Sequence, residues 1–75
     1  MKILLLGVGL QGKAALHDLS NSAEVTHIIA ADANFDALKN YVKKLDNAKI
    51  TPIKLDVRDR DAVSSQMKKV DAVIV

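Results

Sequence analysis

The chain alternates between two kinds of apolar pattern. Lys2 to Leu6 is a short, nearly continuous apolar run closed by Gly7, the form a strand takes when both of its faces are buried. From Gly12 the spacing becomes helical: Gly12, Leu16 and Leu19 share one face, while Lys13, His17 and Asp18 fall elsewhere. Ser20, Asn21 and Ser22 are turn formers, and Val25 to Ala31 is a second apolar run that ends at Asp32. Phe35, Leu38, Val42 and Leu45 give a second helical stripe, with Asp36, Lys39, Asn40, Lys43 and Lys44 on the solvent side and Asn34 as its cap. Ile50 to Val57 is a third strand candidate. Its Pro52 cannot donate a ladder hydrogen bond, so the strand is expected to start late or to lie at a sheet edge. Asp59 caps a third helix that carries Val63, Met67 and Val70 inward, and Ala72 to Val75 opens a fourth apolar strand.

Strands and helices in strict alternation imply right-handed crossovers and a parallel sheet, because parallel neighbours cannot be joined by a tight turn. The expected spatial order is 3-2-1-4. No internal repeat, low-complexity tract or linker divides residues 1–75. Val73 to Val75 form an apolar strand with no following helix, which suggests the amino-terminal part of a longer protein. Its outer edge has neither proline nor charge, and self-association or dimerisation through it is expected.

Composition narrows the function. Hydrophobic residues make up 49% of the chain and charged residues 27%, a balance that favours folding over disorder. Phe35 and Tyr41 are the aromatic residues, so the core must be aliphatic. The formal net charge of +2 comes from dispersed lysines, without an arginine stripe or aromatic platforms; nucleic acid is not an expected partner. The absence of cysteine excludes thiolate metal sites and a cysteine nucleophile, and it fits a cytoplasmic setting. No apolar run approaches the roughly 20 residues of a membrane span, and no membrane partner is expected.

The chemistry lies in the loops that follow the strands. Gly7-Val8-Gly9-Leu10-Gln11-Gly12 has G-x-G-x-x-G spacing after a strand and at the opening of a helix. The first glycine permits a tight turn, the second admits a pyrophosphate to the backbone, and the third lets helix and strand pack closely. N–H groups and the helix dipole at Leu10 to Lys13 favour the phosphate charge. Asp32 follows Gly12 by about the 20 residues that place an acidic side chain on a dinucleotide's ribose. These two matches mark an α/β, partial Rossmann fold that binds a dinucleotide. Asp56 and Val57, at the end of the third strand, are placed to meet adenine; alternatively Asp56 caps the next turn or pairs with Arg58.

The remaining candidates are structural. His17 and His27 lack the spacing partners of a metal site or a catalytic arrangement. Lys43-Lys44 and Lys68-Lys69 are read as dipole-complementing charges in the last turns of their helices, and Met67 as core. No catalytic residue is assigned.

With these residues in place, the chain resembles the amino-terminal segment of the saccharopine dehydrogenase family over all 75 residues. The likeness rests on Met1 to Gly12, on Asp32, and on Leu55-Asp56-Val57-Arg58-Asp59-Arg60-Asp61-Ala62-Val63 leading to Val70-Asp71-Ala72-Val73-Ile74-Val75. The resemblance implies a nicotinamide-dependent oxidoreductase acting on an amino acid or its imine, with catalytic groups in a later domain. Among the nicotinamide cofactors NAD is expected, because Asp32 opposes a 2′-phosphate and Ala33, Asn34 and Phe35 supply no cation. An alternative is a regulatory nucleotide-sensing domain of a potassium channel or transporter, which shares the glycine motif and the acidic strand ends.

Overall fold

A computed structural model of the chain describes residues 1–7 and 10–74, with the side chains at positions 10 and 11 outside that description. The element order is β1 (Lys2–Leu6), α1 (Leu10–Ser20), β2 (His27–Asp32), α2 (Phe35–Leu45), β3 (Ile50–Lys54), α3 (Arg60–Met67) and β4 (Ala72–Ile74). The four strands form one parallel sheet in the order β3-β2-β1-β4. Pro52 lies on β3 at the sheet edge, abreast of Ala30, where its missing N–H leaves no interior ladder bond unmade.

The period-two alternation of the strands divides the core between two layers. Ile3, Leu5, Ile28, Ala30 and Ile50 pack with Leu16 of α1 and Leu38 of α2 on one face. Leu4, Leu6, Ala31 and Leu55 pack on the other, covered by Ala62 and Val63 of α3 and by Val70. Both faces of the sheet are thus buried under helices, the arrangement in which continuous apolar strands are stable. Leu4, Leu16 and Ile28 are fully enclosed.

Local chemistry sets the element boundaries. The Asn34 side chain accepts the Ala37 N–H at 3.3 Å to start α2, and Asp59 accepts the Ala62 N–H at 3.1 Å to start α3, as their residue types require at an N-cap. At the other end of α2, Asp46 adopts a left-handed conformation with φ +47° and its N–H bonds to the Val42 carbonyl. The amino edge of the sheet is tied by Asp71, which receives the Lys2 N–H on its carboxylate and donates its own N–H to the Lys2 carbonyl, each at 2.8 Å.

Three sequence expectations change. β3 ends at Lys54, so Asp56 and Val57 belong to the loop after the strand. The cause is local: the Asp56 carboxylate captures the Arg58 N–H at 2.9 Å and its carbonyl accepts the Asp59 N–H, which turns the chain out of the sheet. Helix α3 stops at Met67, leaving Met67 44% exposed and outside the core, and Val70 reaches the second layer through the following turn. Lys68 is therefore the C-cap residue, with Lys69 beyond it, and α3 has no basic residue in its last turn. α2 does carry Lys43 and Lys44 in its last turn.

Candidate functional site

All the expected cofactor residues except those outside the description converge on the carboxyl edge of the sheet. Gly7 leaves β1 with φ +71°, and a β-carbon built on it meets nothing within 4 Å. Its requirement for glycine is thus conformational, since the positive φ is what L side chains resist. The Gly7 N–H donates to the Ala31 carbonyl at 2.9 Å, which stitches the glycine turn to the residue immediately before Asp32. α1 then begins at Leu10 and includes Gln11 and Gly12. Gly9 lies outside the described residues, so its expected place beside a pyrophosphate is untouched by this geometry.

Asp32 is the last residue of β2 and is partly buried. One carboxylate oxygen, Oδ1, accepts the Asn34 N–H at 3.0 Å, closing the turn into α2. A carboxylate offers about four acceptor positions, so the bond fixes the group's direction while leaving acceptor capacity for the two hydroxyls of a ribose. The Asp32 carbonyl accepts the Leu55 N–H at 3.2 Å, and this extends the β2–β3 ladder one residue past β3. Gly7, Asp32 and the loop beginning at Leu55 are therefore linked by consecutive backbone bonds along one edge.

In that third loop Asp56 and Arg58 form a forked pair. Arg58 Nη2 lies 2.8 Å from Asp56 Oδ2, and Nε lies within 3.2 Å of both carboxylate oxygens. The side-chain hydrogen bond from Arg58, with its backbone bond, lowers the Asp56 pKa from 3.8 to about 2. The same side-chain bond raises that of Arg58 above its ordinary value. The turn and ion-pair alternatives for Asp56 are thus both realised, and most of its acceptor positions are filled. Val57 beside it is 57% exposed, an apolar side chain held at the site's rim where it can lie against a base.

The histidines take structural or solvent positions. His27 Nε2 lies 3.0 Å from Thr51 Oγ1 across the β2–β3 pair, and His17 is an exposed neighbour of Asp18. Among the described residues no cluster of His, Cys, Asp or Glu is arranged to hold a metal ion. No helix is long and apolar enough to cross a membrane, among the residues described.

One residue at this edge carries no signal in the sequence. Lys54, the last residue of β3, is the register partner of Asp32. Its proximity arises from strand pairing across 22 positions of chain (54 − 32), and no local spacing signals it.

Two comparisons with known proteins bear on this geometry. A family model described as the saccharopine dehydrogenase NADP-binding domain matches residues 3–75. Among solved structures, apo saccharopine dehydrogenase (L-Glu forming) from Saccharomyces cerevisiae superposes with a TM-score of 0.78 at 22% sequence identity, covering 96% of this chain. This chain spans 15% of that protein's length, and at this identity the likeness bears on the fold.

Proposed function

Because the chain belongs to the family of saccharopine dehydrogenase NADP-binding domains, and so holds a nicotinamide dinucleotide, we propose that it is the cofactor half of an oxidoreductase acting on an amino acid or its imine. The observation that carries the site assignment is the bond from the Gly7 N–H to the Ala31 carbonyl. It holds Gly7, the start of the glycine turn, against the strand end that presents Asp32. In this reading Gly7, Gly9 and Gly12 let the backbone approach the pyrophosphate, and N–H groups from Leu10 and Gln11 in the first turn of α1 bind it. Asp32 accepts the adenosine ribose hydroxyls, Val57 lies against the adenine, and Asp56 meets it with the acceptor capacity that its pairing with Arg58 leaves. A nicotinamide cofactor bound there supplies hydride transfer, while the substrate and the proton-handling groups belong to a later domain of a longer protein. The regulatory sensor reading shares the glycine and aspartate geometry, but the family match favours the dehydrogenase.

Between the two cofactors, the reading is NAD. The family description names NADP, yet in the ribose role given to Asp32 a 2′-phosphate would bring about 1.5 to 2 negative charges against its carboxylate. It would also remove a hydroxyl that the carboxylate can bind. Asp32→Ala in the full-length protein should weaken NAD binding by about 1–3 kcal/mol, the range for hydrogen bonds to a charged group, and should narrow the preference over NADP. Calorimetric titration of both cofactors against both proteins tests this. NADP binding as tight as NAD to the unmodified protein, or a ratio unmoved by the substitution, would overturn the Asp32 assignment.

A further inference from the structure

We propose that Lys54 is a specificity-determining residue that limits how strongly the site rejects a 2′-phosphate on the adenosine ribose. The inference rests on the ribose role given to Asp32. It starts from the strand register, in which Asp32 and Lys54 are paired at the carboxyl end of β2 and β3. Neighbouring strands lie about 4.8 Å apart, and residues two apart on one strand share a face. The pairs Ile28↔Ile50 and Ala30↔Pro52 precede Asp32↔Lys54 in the same register. Ile28, Ala30 and Ile50 all enter the core layer beneath α1 and α2. Asp32 and Lys54 continue that face to the edge where the ribose binds.

Two other cations on the neighbouring elements, Arg58 and Lys13, are already engaged. The Arg58 guanidinium is forked onto the Asp56 carboxylate, so its charge is largely cancelled where it stands. Lys13, in the first turns of α1, holds its Nζ 5.2 Å from the Tyr41 ring centroid, an attraction that orients it toward α2. Lys54 is exposed and makes no ion pair among the described residues. Its ammonium rides on a flexible four-carbon stem, able to approach a group bound over Asp32. With NAD the ribose is uncharged at this point and Lys54 has little to bind. With NADP it faces the phosphate, offsetting part of the repulsion from Asp32. The site then favours NAD by less than the Asp32 carboxylate alone would impose.

The test is calorimetric titration of NAD and NADP against the full-length protein and its Lys54→Gln, Lys54→Glu, Lys54→Arg and Asp32→Ala variants. Lys54→Gln, which keeps most of the stem, should weaken NADP binding about 3- to 10-fold and change NAD binding less than about 2-fold, as expected for an exposed charge facing a dianion. Lys54→Glu should widen the gap further, and Lys54→Arg should restore the original ratio. Equal weakening of both cofactors by Lys54→Gln would overturn the inference, since it would assign Lys54 to the shared pyrophosphate. An unchanged ratio in Lys54→Gln beside a narrowed ratio in Asp32→Ala would overturn it while leaving the ribose assignment intact. An unchanged ratio in Asp32→Ala would remove that assignment and the inference with it.

Discussion

Replacing Gly7 separates the two demands that a glycine turn can make, room and backbone freedom. The residue has φ +71°, and a β-carbon there meets no atom within 4 Å. Its N–H is engaged with the Ala31 carbonyl, which anchors the peptide plane before it, so a negative φ would have to swing the chain that follows off its course into α1. Gly7→Ala must then bear the left-handed backbone, at about 1–2 kcal/mol, with no added steric term. Alanine also restricts the unfolded chain, which offsets up to about 1 kcal/mol of that. A net loss of about 0.5–1.5 kcal/mol is expected. Asparagine, which tolerates the left-handed region, should be milder, and valine should be worse because its branched side chain is the least tolerant of positive φ. Urea unfolding of the series, read as midpoint shifts at constant slope, measures the order. If alanine proved as stable as glycine, or if alanine and asparagine were indistinguishable, the conformational explanation would fail.

Asp46→Gly should stabilise the domain by about 0.5–1 kcal/mol, because Asp46 holds a left-handed cap at φ +47° and places a negative charge at the unfavourable end of α2; thermal unfolding checks the sign. Asp56 should titrate at about 2 when followed by carboxyl NMR, against an ordinary 3.8, and Arg58→Ala should move it upward. Since the folded-state pKa is the lower one, the pair's contribution to stability is present above the ordinary value and is lost as pH falls through about 2. An Asp56 titration unchanged by Arg58→Ala would show that the backbone bond alone holds the carboxylate.

The parts of this fold that sequence reveals are those decided by neighbours in the chain. β1 reads directly because Ile3–Leu6 is an unbroken apolar run, and Asn34 and Asp59 read as caps because their side chains need to reach only three residues ahead. Pro52 points β3 to the edge for the same local reason, the lack of a donor. Met67 departs from the expected core because the stripe of Val63, Met67 and Val70 runs past the point where the helix ends. Val63 and Val70 do pack against the core, but one does so from the helix and the other from the turn. Asp56 reads as part of a strand because its apolar neighbours Leu55 and Val57 resemble one, whereas its own carboxylate turns the chain by binding the Arg58 N–H. Lys54 was invisible for a different reason. Its partnership with Asp32 depends on β2–β3 register, which is set by two packed layers and not by any spacing along the chain.

The location of the cofactor is tested most directly by backbone amide NMR of the protein titrated with NAD. The expected shifts fall on Gly7, on the first turn of α1 from Leu10 to Lys13, on Asp32 to Asn34, and on Asp56 to Arg58. Thr26, His27, Lys49 and Asp71, which lie around the opposite edge of the sheet, should stay still. Shifts concentrated at that amino edge, or saturable binding that left Gly7 and Asp32 unmoved, would contradict the assignment of the carboxyl edge as the dinucleotide site.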